Sequence, residues 1–193
     1  MQLLAWLLHS DKQLDAAEEA ASQTISLLPD EGEQFLVCQC YHLLGDIYYS
    51  KGEIEKAINH FKTALRFASS SNWHDEQFWN HYSLAKLFSK RGRLDNAHVH
   101  VEHAKSHAIN DPYLLGRATQ LQAQFWFTQS KFEEAKSGAL CAADMFEKLG
   151  AVKELKSCRA LLKDIRKKRK KLAVSSKLDS NGKPKNDTTS YIY

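Results

Sequence analysis

A short block returns four times along the chain in the same order, an apolar residue followed by an acid and then an alanine, and its spacing limits the fold more than any other feature. The clearest copy is Gly52-Glu53-Ile54-Glu55-Lys56-Ala57. Gly92, Leu94, Asp95 and Ala97 repeat it 40 residues later, Phe132, Glu133 and Ala135 after 38 more, and Leu14, Asp15 and Ala17 precede it by 40. On its N-terminal side Tyr41, Leu44, Gly45 and Tyr48 fall at i, i+3, i+4 and i+7, one face of a helix. On its C-terminal side Ile54, Ala57, Phe61 and Ala64 form a second such face, with Gly52 as the break between them. Gly45 predicts the close approach of a neighbouring backbone, with Phe61 filling the gap between the two helices. A hairpin of this kind cannot cover both of its apolar faces, so copies must stack beside it. The expected fold is all-α.

Turn chemistry divides the repeats. Pro29 with Asp30 closes the first unit, Ser69 to Asn72 the second, and Asn110, Asp111 and Pro112 the third, where Asp111 is placed to cap a helix starting at Pro112. Gly150 ends the fourth. The units expected are 1–29, 30–71, 72–110 and 111–150. The repeat spacing would begin the first of them before Met1, so its leading helix is expected to be truncated, as in a piece of a larger array. Leu155, Cys158, Leu162 and Ile165 then mark one amphipathic helix over 151–171 that covers the last unit. Residues 172–193, rich in Ser, Asn, Asp and Lys with Gly182 and Pro184, are expected to be a disordered tail.

These positions resemble the tetratricopeptide repeat, whose 34-residue pattern runs W-x2-L-G-x2-Y, A-x3-F-x2-A and a closing P. The second unit carries Tyr41, Leu44, Gly45, Tyr48, Ala57, Phe61 and Ala64; the third has Leu84, Ala85, Phe88, Ala97, Val101 and Ala104, with His81 in the aromatic position. The fourth keeps Ala123, Trp126, Ala135, Ala139 and Ala142, and the first Leu4, Ala5, Leu8, Ala17, Ala21 and Pro29. The longer period resembles the subtype found in cell-polarity and kinesin-linked adaptors and, more loosely, the arrays appended to fungal NTPase-linked signalling proteins. The resemblance implies a right-handed superhelical solenoid of antiparallel helix pairs. It further implies a non-enzymatic adaptor without cofactor that binds a peptide segment of another protein in its concave groove.

With that pattern, the first helix of each pair faces the groove. The groove residues expected are Trp6, His42, Asp46, Tyr49, Trp79, Tyr82, Lys86, Lys90, Arg117, Gln120, Gln124 and Phe127. Exposed Trp79, Tyr82 and Phe127 would be the anchors, and Lys86, Lys90 and Arg117 would favour an acidic peptide. A subset of the family clamps a C-terminal carboxylate through Lys, Asn and Arg side chains. The corresponding positions here hold His42, Asp46, Ser83, Arg117 and Leu121, of which only Arg117 agrees, so that activity is not expected.

Other chemistry finds little footing. His100, His103 and His107 share one helical face with His98 nearby, but no carboxylate or cysteine completes a zinc spacing, and a solvated histidine face is expected with no metal. There is no phosphate loop, nucleophile elbow or H-E-x-x-H, and the pair Cys38 and His42 reads as helix packing. No enzyme is expected. Cys38, Cys40, Cys141 and Cys158 lack disulfide-framework spacing, and no apolar run approaches the roughly 18 residues of a membrane span, which suits a cytoplasmic or nuclear protein with reduced thiols. The net charge of +4 is lopsided: residues 163–193 hold 10 Lys and Arg against 3 Asp and Glu, leaving 1–162 slightly acidic. Six cations, Arg166, Lys167, Lys168, Arg169, Lys170 and Lys171, stand in a row. They give the alternative reading of a nucleic-acid-associated protein acting through that run, although sequence-specific recognition is not expected without interleaved aromatics. A detached regulatory arm of an NTPase is the third reading.

Overall fold

The computed structural model describes residues 2–28, 33–108 and 110–176. Within them regular structure is helical throughout. The helices are α1 (Gln2–Ser10), α2 (Leu14–Leu27), α3 (Gln34–Lys51), α4 (Ile54–Ser70), α5 (His74–Lys90), α6 (Leu94–His107), α7 (Pro112–Thr128), α8 (Phe132–Lys148) and α9 (Val152–Ser176). Pro29, Asp30 and residues 177–193, on which a repeat boundary and most of the expected tail fall, lie outside the described residues. Residues 172–176, also expected in that tail, continue α9 instead.

Four turns are built alike. Lys12, Gly52, Gly92 and Ser130 all take positive φ, at 61°, 81°, 71° and 61°. The N–H of the next residue donates back to a helix carbonyl five positions earlier: Gln13 to Leu8 at 2.8 Å, and Glu53 to Tyr48, Arg93 to Phe88 and Lys131 to Trp126 each at 2.9 Å. Such bonds satisfy carbonyls that the helix end leaves open. Five residues after each left-handed position stands an alanine, Ala17, Ala57, Ala97 or Ala135, with no solvent exposure. The spacing seen in the sequence is therefore the spacing of a repeated turn and the small residue that lets its second helix lie close. Asp111 caps α7 as its position predicts, Oδ1 accepting from the N–H groups of Tyr113 at 2.8 Å and Leu114 at 3.0 Å, with Pro112 first in the helix.

The glycine of the central hairpin works differently from expectation. A Cβ on Gly45 would lie 2.6 Å from a ring carbon of Phe61. The close partner is thus the aromatic side chain that the sequence placed in the gap, not a backbone. Phe61 is 1% exposed and joins Ile58, Leu84, Leu87 and Phe125 in a core that runs through three successive hairpins. Burying a ring of this size stabilises the fold by roughly 2–3 kcal/mol.

Each helix packs against the next in the chain. Beyond those pairs only α1 with α3, α3 with α5, α5 with α7 and α7 with α9 come near each other among the described residues. The even-numbered helices do not meet one another, so the row bends toward its odd-numbered side. At the far end α9 lays Cys158, Leu161 and Ile165 over Ala123, Ala135, Ala139, Ala142 and Phe146, closing the last hairpin. No helix among the described residues is long and apolar enough to cross a membrane.

Candidate functional site

The inner surface is made by α1, α3, α5 and α7, and its residues come from helix positions spaced by one turn. At one end Trp6 of α1, Gln39 and His42 of α3, and Glu76 and Trp79 of α5 line a hollow of about 290 Å³. A row of hydrogen bonds crosses it. Gln2 Nε2 donates to Gln39 Oε1 at 2.6 Å, and Gln39 Nε2 donates to Glu76 Oε1 at 3.1 Å. His42 is held by its neighbours, Nδ1 lying 3.0 Å from Asn80 Oδ1 and Nε2 lying 3.6 Å from Asp46 Oδ2.

Further along α3 and α5, Asp46 and Tyr49 meet Ser83 and Lys86 over Phe61 in a much smaller depression of about 10 Å³. The Tyr49 ring gathers cations: Lys90 Nζ stands 4.3 Å and Lys86 Nζ 5.8 Å from its centroid, and Lys86 is also 5.9 Å from the Tyr82 ring. Both lysines are exposed. On α7, Arg117 lies 5.3 Å from the Tyr82 ring and 5.9 Å from that of Trp79. Its guanidinium donates to the Tyr82 hydroxyl at 3.3 Å and faces Glu154 of α9 at 3.6 Å, and Glu154 also accepts from the Tyr113 hydroxyl at 3.1 Å.

Nine of the twelve expected residues, Trp6, His42, Asp46, Tyr49, Trp79, Tyr82, Lys86, Lys90 and Arg117, therefore adjoin one another across α1, α3, α5 and α7. Trp79 and Tyr82 are half-buried rather than exposed, each resting on the cluster of Phe78, Ala104 and Leu114. Gln124 is exposed on α7. Two residues do not belong to the surface. Gln120 is 6% exposed and sits beside the Cys158 thiol, and Phe127 packs with Phe132 at 6.1 Å into the cluster covered by Leu161 and Ile165. The cause is α9, which occupies the side of α7 that an open array would present. Glu76 was not anticipated. Its signal was available, since it precedes Trp79 by three positions and so shares its helical face.

The histidines are only in part a solvated face: His103 is exposed, whereas His100 and His107 are half-buried. His81 of α5 meets three imidazoles of α6: its Nδ1 is 2.9 Å from that of His100, and its ring stacks on His103 and His107 with centroids 4.9 and 5.8 Å away. His74 Nδ1 approaches His107 Nδ1 at 3.3 Å. Burial, reinforced by the neighbouring imidazoles, pushes His81 down to about 3; burial and His103 with Lys62 take His100 down to about 4. Among the described residues no three His, Cys, Asp or Glu side chains are placed to hold a metal. Burial likewise raises the thiols of Cys38 to about 12 and of Cys40 and Cys158 to about 11, which leaves them poor nucleophiles. The basic run lies on exposed turns of α9, where Arg169 pairs with Glu133 of α8 at 2.7 Å.

Residues 38–70, most of α3 together with α4, match the family model of the tetratricopeptide repeat. The chain carries a tetratricopeptide repeat. A search of curated proteins finds no match. Among solved structures the chain is similar to BtubC (BKLC) from P. vanneervenii, at 15% identity with a TM-score of 0.65, over 98% of this chain and 84% of that one. It is also similar to a putative kinesin light chain from P. anserina with nearly identical TPR-like repeats, at 16% identity with a TM-score of 0.51, over 87% of this chain and 94% of that one. The whole described row thus has the tetratricopeptide-repeat fold.

Proposed function

We propose that this tetratricopeptide-repeat chain is an adaptor that holds a segment of another protein across α1, α3, α5 and α7, with α9 as its terminal cap. The observation that supports this best is the convergence of the odd-numbered helices. It puts Trp6, Tyr49, Trp79, Tyr82, Lys86 and Lys90 on one inward surface with two hollows in it. Tryptophan and tyrosine are among the residues that most often carry binding energy at protein interfaces. The lysines supply charge preference and encounter rate, since their exposure keeps their net contribution to affinity small.

The reading is tested by placing a photo-crosslinking amino acid at Ser83, on the inner surface, and separately at Val99, which is 55% exposed on α6. Proteins captured from lysate at Ser83 and not at Val99 are the expected result, and the K86E/K90E pair should lose them with an unchanged helical circular dichroism spectrum. Equal capture at both positions, or capture indifferent to the lysine changes, refutes an inner-surface site.

A further inference from the structure

We propose that the hollow between Trp6 and Trp79 is a receptor for one cationic side chain, arginine in preference to lysine, carried by the segment that the inner surface binds. This rests on the groove reading above and gives its anchor a chemistry.

Four features of the hollow point the same way. Its walls include two indoles from different helices, and indole is the aromatic ring that attracts cations most strongly. Its one carboxylate is Glu76, and no lysine or arginine lines it. Its amide and imidazole groups are already engaged, Gln39 with Gln2 and Glu76, His42 with Asn80. Its size, about 290 Å³, admits a side chain and not a helix. Arg117, 5.9 Å from the Trp79 ring, does not line the hollow and has Glu154 for its own partner.

The competing anchors fail on charge or solvation. A carboxylate would face Glu76, a like charge, with no lysine or arginine in the lining to offset the repulsion. An aliphatic side chain would strip water from Glu76 and return no hydrogen bond, a desolvation cost of the kind that buried polar groups do not recover. A guanidinium satisfies both demands: its edge donates to the carboxylate and its plane stacks on the indoles, and it gives up hydration more readily than an ammonium. Lys86 stands ten residues beyond Glu76 on α5, roughly 15 Å along the helix, which is farther than a Debye length at physiological salt. Its repulsion of the guest is therefore largely screened.

The test uses N-acetyl-arginine amide, with the amides of N-acetyl-glutamate and N-acetyl-norleucine as controls, titrated into the full chain while the four tryptophan indole N–H resonances are followed by nuclear magnetic resonance. Trp6→Phe and Trp79→Phe spectra assign the relevant pair. The arginine probe should shift Trp6 and Trp79 saturably and leave Trp73 and Trp126 in place. Glu76→Gln, which keeps the shape and can still accept from Gln39, should weaken it about fivefold, the measure of one partly exposed charge pair. The proposal is overturned if the glutamate or norleucine probe shifts the two indoles as strongly, if no probe shifts them, or if Glu76→Gln leaves the arginine response intact. Those outcomes do not touch the groove itself, which stands or falls on capture at Ser83.

Discussion

Acidification should loosen the α5–α6 hairpin through His81. The ring is half-buried, and every charge that acts on it is another imidazole, His100, His103 or His107, with Lys62 of α4 acting in turn on His100. Protonating it would therefore bring a charge to a site that offers no compensation. Its folded value of about 3 lies below the ordinary 6.5, so between those limits the unfolded chain holds more protons and stability falls as pH falls. Above 6.5 the effect vanishes; at pH 5 the unfolded imidazole is 1.5 units below its midpoint, and at 1.36 kcal/mol per unit the loss is about 2 kcal/mol. Because 5 is well above 3, this figure hardly depends on the folded value; the ring's residual exposure and salt reduce it toward about 1 kcal/mol. His100, taken down to about 4, adds a loss of the same sign. The assay is urea unfolding followed by circular dichroism at pH 7.5, 6 and 5 for the wild type and for His81→Phe, which retains an aromatic ring against α6. The variant should lose about 1–2 kcal/mol less than the wild type between pH 7.5 and 5. Parallel curves for the two proteins over that interval would refute a neutral, enclosed His81.

Three further outcomes follow from the geometry. Gly45→Ala should destabilise by about 1–3 kcal/mol in urea unfolding, because the new methyl collides with the Phe61 ring, and Phe61→Leu in the same chain should recover part of the loss. Ser130→Gly should raise stability by about 0.5–1 kcal/mol in the same assay, since Ser130 holds a left-handed φ of 61° where the equivalent turns use Gly52 and Gly92. A thiol reagent at pH 8 should modify Cys141, which is exposed, within minutes, and reach Cys38, Cys40 and Cys158 only in denaturant; rapid titration of all four thiols in the native chain would contradict their burial.

The repeated turn was readable because its ingredients are local: an alanine after an apolar residue and an acid in all four copies, and a glycine five positions before that alanine in two of them, Gly52 and Gly92, whereas nothing in the pattern marked Lys12 or Ser130. Asp111 with Pro112 was readable for the same reason. The cap helix was visible in Cys158 and Ile165, both of which are buried, but its effect on α7 was not. Gln120 and Phe127 occupy groove positions only if nothing lies over that side of α7, and repeat logic assigns faces as though every hairpin had the same neighbours. The histidines failed for a related reason. A helical wheel of α6 shows His100, His103 and His107 on one side; it does not show His81, which comes from α5 and half-buries His100 and His107 while His103 stays exposed. What a single helix encodes was legible, and what two helices make jointly was not.

Among the described residues each hairpin touches only the ones beside it, and the row has no contact there that ties one end to the other. It should come apart as a zip does, from an extremity inward, and the two extremities are unequal. The α9 end is sealed by Leu161 and Ile165, whereas the α1 end is a nine-residue helix showing Leu3 at 79% and Leu7 at 65% exposure. Amide hydrogens should accordingly exchange with deuterium soonest in α1 and α2 and slowest around Phe61 and Phe125 in the middle of the row.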